Sequence, residues 1–333
     1  MKTNNGIILV LAYPETIVRV TDEWYSKFLP YAGIGTKNFV KAGHAALVLV
    51  DRESGNLDYF DFGRYVVPQG FARVRSRDTD HELKFDIKAK MINKKIENLD
   101  EILKFFGTNP KLTHGEGPLV ASVCKEVDYN KAKNYIQSLQ KKDFIRYGAF
   151  IKNASNCSRF VTDTLIASVT NETIKRRLLK SKRFTPSTVS NVIHADTENN
   201  VYEITEGGQI NGYNRSVWNT NKKNFLDRLK HFEPNFIGNL QPNPNDVING
   251  QAQWLGGIGA GAWFELHKTE SISKYRFRRI SPYGNVDCDM HYSISDTSFS
   301  YEMKYQFVHY SNCKFFHIEQ NNQIYRFDML DIN

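Results

Sequence analysis

The chain is poor in cysteine. Only Cys124, Cys157, Cys288 and Cys313 occur in 333 residues. No two are spaced as Cys-x-x-Cys, which removes the usual signature of a structural zinc site. A disulfide between Cys288 and Cys313 is one option, since both fall in the same β-rich C-terminal region; free thiols are the other. Long apolar runs are also missing, and nothing approaches the ~20 residues needed to span a bilayer. The N-terminus, MKTNNGIILVLAYPE, has one lysine and a short apolar stretch from Ile7 to Ala12. A signal peptide needs an apolar core of roughly 7–15 residues and a small-residue cleavage site, and Pro14 and Glu15 interrupt that pattern. The expectation is a soluble, cytoplasmic chain without a classical export signal, export by a dedicated secretion system being the other route.

Other motifs lack their companions. Asp61-Phe62-Gly63 spells a kinase tripeptide without the Gly-rich or catalytic loops. The stretch GGIGAGA from Gly256 precedes a strand pattern rather than a helix, so no helix end is offered to a phosphate. His309 and His317 have no carboxylate or cysteine at ligand spacing. No metal and no cofactor are expected, and no internal repeat is visible.

What is present is an ordinary globular composition: 41% hydrophobic, 13% aromatic and 24% charged, enough for one large domain or two smaller ones with real cores. The net charge of +8 fits a basic soluble protein, or one that meets an anionic partner such as nucleic acid, a membrane surface or a wall polymer. Arg73, Arg75 and Arg77 alternate in FARVRSR, which would put all three on one strand face, but nucleic acid is not the expected partner.

Pattern predicts strands at Ile7–Tyr13, Ala45–Val50, Leu57–Phe62 and Glu82–Ile87, a short helix or ordered loop at Asp22–Tyr31, and helices at Leu99–Phe106 and Asn130–Lys141. A further helix, capped by Ser155 or Asn156, carries an apolar stripe of Val161, Leu165 and Val169. Lys175–Arg183 is a basic run. Asn, Gly and Pro accumulate from 197 to 253, which reads as a linker or loop-rich connection. After it, Ala262–His267, Lys274–Ile280, Val286–Tyr292, Phe299–Val308, Lys314–Ile318 and Ile324–Phe327 read as the short strands of a small β-sandwich or barrel. The expected domains are 1–195, a connection at 196–253, and a β-rich accessory domain at 254–333. The aromatic segment from Ser300 to Phe307 is either that domain's core or a surface for a partner or wall component.

Two distant segments carry the chemistry. Cys157 follows a cap residue and opens a helix, where free N–H groups and the helix dipole favour thiolate over thiol. His44 follows Gly43 at the start of a strand and is the candidate base. If Ser54-Gly55 made a two-residue turn, Val48 would face Asp61, and Asp61 and Tyr59 would share the His44 face. A one-residue slip would bring Asp58 there instead. Asp61 could orient the imidazole, or pair with Arg64.

The segments GHAALVLVDRESGNLDYFDFGRY and RYGAFIKNASNCSRFV resemble the circularly permuted branch of the NlpC-type papain-like cysteine peptidases, in which the histidine strand precedes the cysteine helix, as in lecithin retinol acyltransferase. The resemblance covers roughly residues 7–190. It implies an α+β fold, an antiparallel sheet with the cysteine helix against it, followed here by a mostly-β domain. It makes Cys157 the nucleophile, His44 the base and Asp61 the polar third member, with the Cys157 N–H in the oxyanion hole. Tyr147 and Tyr13 become groove candidates. The usual Asp-Cys-Ser-Gly reads Asn-Cys-Ser-Arg here, so Arg159 narrows the groove or selects an anionic substrate. The expected activity is hydrolysis of an amide in a cell-wall peptide or related substrate. The alternatives are a lipid acyl hydrolase or acyltransferase, and a binding protein on a degenerate peptidase fold.

Overall fold

The computed structural model describes residues 4–232, 238 and 241–330. The chain divides into two units, residues 1–63 with 85–232 and residues 64–84 with 233–333. Two segments therefore group differently from the sequence-based boundaries: 64–84 goes with the C-terminal strands, and 196–232 goes with the first unit.

In the first unit, β1 (Gly6–Tyr13) is apolar on both faces and buried throughout. Such a strand fits only the interior of a sheet, and β1 lies between β2 (His44–Asp51) and β4 (Leu119–Val127), antiparallel to both. β3 (Leu57–Gly63) extends the sheet beyond β2. β5 (Tyr202–Ile204) and β6 (Ile210–Gly212) extend it beyond β4. The helices α1 (Leu99–Gly107), α2 (Tyr129–Gln140), α3 (Cys157–Ser168), α4 (Glu172–Ser181) and α5 (Thr188–Ala195) complete the part of the unit that frames the site. α3 packs on β2 and β3 through buried Phe160, Val161 and Leu165. Val169, expected to extend that stripe, is instead the extended C-cap residue.

The β2–β3 register differs from the two-residue-turn expectation. Ala46 faces Asp61 and Val48 faces Tyr59, because residues 52–56 form a longer turn with Gly55 at φ +68°. The shift is two residues, and side chains alternate with period two, so every residue keeps its predicted face. Asp58, opposite Leu49, points the other way.

Three predicted elements are corrected. Glu82–Ile87 is not a strand; a 3-10 turn at His81–Leu83 leads into irregular chain. The 197–253 connection contains β5, β6 and α6 (Val217–Phe225), with Asn224 Nδ2 donating to the Pro14 carbonyl at 2.8 Å; its residues 233–237 and 239–240 lie outside the described residues. Of Phe299–Val308 only Gln306–Val308 is strand. The Gln320 side chain accepts from Ser300 N and donates to Ser300 O, binding groups a ladder would otherwise use.

In the second unit, β7 (Gln253–Leu255), β8 (Ala262–Lys268), β9 (Lys274–Ile280), β10 (Val286–Ile294), β11 (Gln306–Val308), β12 (Phe315–Gln320) and β13 (Gln323–Met329) form one antiparallel sheet in the order β7-β8-β9-β10-β13-β12-β11. Gln253 nearly closes it: its amide donates to the Tyr305 carbonyl at 3.1 Å and accepts from Phe307 N at 2.8 Å. The interior is an aromatic stack, with Phe277–Phe316 and Phe316–Phe327 centroids 4.4 and 4.5 Å apart. Phe307 belongs to that core, with Tyr301 and Tyr305 packed against it, so most of the 300–307 aromatics fill the domain.

The alternating arginines are not an exposed basic stripe. Arg73 and Arg75 are buried and only Arg77 is exposed. Arg73 makes a bidentate pair with Asp80 at 2.6 and 2.7 Å. Arg279 reaches Asp80 at 2.8 Å and Glu82 at 2.5 Å, and Arg75 reaches Glu82 at 3.0 Å. Two carboxylates, Asp80 and Glu82, are thus shared among three guanidinium groups inside this unit.

Candidate active site

Gly43 sits at φ +78°, and a Cβ there would lie 3.0 Å from Thr188 Oγ1 and 3.1 Å from Pro14 Cα. Only glycine suits that backbone and that crowding. The next residue, His44, opens β2 opposite Tyr13, and the two rings stack with centroids 6.4 Å apart. His44 Nε2 lies 3.2 Å from Asp61 Oδ2, and the Tyr59 hydroxyl donates to the same oxygen at 3.1 Å. Asp61 is fully buried and His44 is 6% exposed. An acceptor on Nε2 holds the proton there and leaves Nδ1 for another partner.

The second group that interacts with the imidazole is Cys157, whose Sγ lies 4.0 Å from the Gly43 carbonyl. It is the first residue of α3, and Asn156 is the cap, accepting from Arg159 N at 2.9 Å. Burial alone would depress the His44 pKa, but hydrogen bonds to Asp61 and Cys157, and their charges, push it up to about 9. Burial alone would raise the Cys157 pKa; the hydrogen bond and charge of His44, with the Ala45 and Ser158 N–H groups, bring it below the ordinary thiol range. Each group stabilises the charged form of the other, so the arrangement favours a thiolate–imidazolium pair. Cys157 is 7% exposed, and Cys124, Cys288 and Cys313 are 0, 2 and 0% exposed.

The other predicted residues are dispersed around this pair. The Tyr13 ring covers His44, but its hydroxyl is committed to the Phe106 carbonyl at 3.0 Å. Tyr147 is half-buried and stacks on Phe62, centroids 6.1 Å apart, and Phe62 stacks in turn on Phe160 of α3. Arg159 is half-buried in the first turn of α3, and its Nε is buried with no hydrogen-bond partner among the described residues.

Glu23 was not singled out from the sequence. Its carboxylate accepts from Ala149 N at 2.9 Å and Phe150 N at 2.7 Å, and also from Thr21 and Tyr25. Burial would raise its pKa, but these donors together lower it. It fixes the turn after Tyr147 from a position 126 residues away, a separation at which no local pattern signals contact. Beside it an aromatic chain runs from exposed Trp24 through Tyr25 and Phe150 to exposed Phe184. A cavity of about 220 Å³ lined by Glu15, Glu203, Arg215 and Lys223 contains neither Cys157 nor His44.

Residues 8–174 match the family described as type VI secretion system effector TseH-like, and residues 252–330 match the DUF6695 C-terminal domain. No curated protein matches the chain. Among solved structures, the crystal structure of the type VI secretion system effector TseH is similar over 63% of this chain and 99% of that chain, at 15% identity and a TM-score of 0.44. The first of these matches spans half of the chain, which therefore belongs to the TseH-like family of type VI secretion system effectors.

Proposed function

We propose that the chain is a cysteine hydrolase that cleaves an amide bond, with a cell-wall peptide as the substrate class and a permuted papain-like arrangement as the fold of its first unit. The observation that carries this reading is the buried relay Cys157–His44–Asp61, with Asp61 backed by Tyr59. The Cys157 thiolate attacks the carbonyl carbon, and the oxyanion forms at the start of α3, where first-turn N–H groups have no helical acceptor. The His44 imidazolium gives its proton to the leaving amine, which departs as the thioester forms. Neutral His44 then takes a proton from water, which attacks the thioester. The acid product leaves, and the proton returns to the Cys157–His44 pair. Asp61 holds the ring and supports its charge throughout. Family membership favours export through a dedicated secretion system over a cytoplasmic site of action.

Alkylation tests the pair. Iodoacetamide should label Cys157 fastest of the four cysteines near neutral pH, with a rate that persists below the ordinary thiol range. Asp61→Asn should move the acidic limb upward, because His44 loses the carboxylate that supports its cation. A shift of one unit slows labelling on that limb about tenfold. Equal labelling of all four cysteines, or a limb unmoved by Asp61→Asn, contradicts activation.

Arg159 supports a substrate with a carboxylate near the scissile bond. Its buried Nε donor would be satisfied by such a group, and leaving it unsatisfied costs about 1–3 kcal/mol. Arg159→Met should raise KM for peptides carrying that carboxylate about tenfold or more, with kcat little changed. An equal effect on amidated peptides would remove the assignment.

A further inference from the structure

The second unit holds a cluster of donors that the hydrolase reading does not use. His81 in the 3-10 turn, Cys288 on β10 and Cys313 just before β12 each offer one donor atom, and the three atoms lie within 4.8 Å of one another. They are 207 and 25 residues apart along the chain, so no spacing rule could find them. Both cysteines are free thiols and buried. His81 Nε2 is buried and makes no hydrogen bond of good geometry among the described residues.

The surroundings hold these donors in place. The Tyr292 hydroxyl lies 3.2 Å from Cys288 Sγ and donates to the Cys313 carbonyl at 2.5 Å. Cys313 N donates to the Thr79 carbonyl at 2.9 Å, tying the Cys313 turn to the segment that carries His81. Asp80, next to His81, is clamped by Arg73 and Arg279.

We propose that His81, Cys288 and Cys313 form a binding site for one soft divalent cation, with Zn²⁺ the best fit. Two thiolates and an imidazole are a recurrent zinc donor set, with water able to fill the fourth tetrahedral position. Donors around one zinc stand roughly 3.5–3.8 Å apart, from Zn–S near 2.3 Å and Zn–N near 2.0 Å, so closure shortens any one separation by about 1.3 Å at most. Binding releases one proton from each thiol to solvent, and the two sulfur charges then balance the cation. A Cys288–Cys313 disulfide is the competing use of the same sulfurs. It would leave His81 Nε2 buried without a partner, whereas a cation engages all three groups. Half-buried His81 gives the route of entry. This site is independent of the hydrolase reading.

The test uses the full-length chain, reduced and stripped of metal. Titration with Co²⁺ should produce thiolate-to-cobalt absorption that saturates at one equivalent and is displaced by Zn²⁺ with Kd below about 1 µM. Cys313→Ser should abolish the band. His81→Gln, at a half-buried position, should weaken binding about 10- to 100-fold. Cys124→Ser should leave it unchanged. The site is refuted if the reduced wild-type chain shows no such band, if the band survives Cys313→Ser, or if the isolated chain carries a Cys288–Cys313 disulfide and still binds no cobalt after reduction.

Discussion

Cys157→Ala is expected to abolish amide hydrolysis, lowering turnover by at least about 10⁴-fold, because the nucleophile of a covalent mechanism has no substitute in the site. The variant should stay folded. It removes one small side chain at the first position of α3, where the Asn156 cap and the buried Phe160, Val161 and Leu165 remain, so the stability change should be about 1 kcal/mol. Turnover of a cell-wall peptide and thermal unfolding, measured on the same preparation, separate the two effects. A variant that unfolds no earlier, yet retains the full biological effect, would transfer the function to binding and end the hydrolase reading. That outcome would not touch the His81–Cys288–Cys313 site, which lies in the other unit.

The largest stability effect is expected at Asp80. This carboxylate is 1% exposed and takes both arms of the Arg73 fork and one arm of Arg279. Asp80→Asn keeps the shape and removes the charge, taking from buried Arg73 the carboxylate it pairs with and leaving buried Arg279 to Glu82 and Asp287. Breaking a buried pair in this way costs about 3–5 kcal/mol, far more than loss of an exposed pair. Denaturant unfolding should show the drop in midpoint, and Asp328→Asn, at the exposed Arg326–Asp328 pair, should show almost none. The pH dependence follows from the sign of the shift. Burial would raise the Asp80 pKa, but the charges of Arg73 and Arg279 hold it far below the ordinary carboxylate range. A depressed folded-state pKa contributes stability in full above the unfolded value of about 3.9, and that contribution fades as the pH falls below it. Wild type should therefore lose stability more steeply than Asp80→Asn below about pH 4. Parallel acid curves for the two proteins would contradict this account.

Much of the first unit was legible because its signals are local. The unbroken apolar run Ile7–Ala12 marks an interior strand. Asn156 before Cys157 marks a helix start, since its side chain satisfies a first-turn N–H. The placement of Asp61 on the His44 face survived an incorrect turn length because a two-residue shift preserves side-chain direction. The misread segments fail for a matching reason. Glu82–Ile87 has strand-like alternation, but Glu82 sits in a 3-10 turn and is held by Arg75 and Arg279, and Ser300 gives its backbone groups to a side chain. The Asn-rich stretch hides α6, which Asn224 ties to the carbonyl of Pro14, 210 residues away.

Periodicity, caps and turn residues act over a few positions, so the amino-acid order alone was enough to locate the strands beside His44 and the helix that begins at Cys157. Whether charges meet across long separations is another matter. The Glu23 clamp on residues 149–150, the sharing of Asp80 between Arg73 and Arg279, and the convergence of His81 with Cys288 and Cys313 depend on how the chain closes in space. Burial then fixes their energetics, because a charge or donor removed from water must find its partner inside the fold.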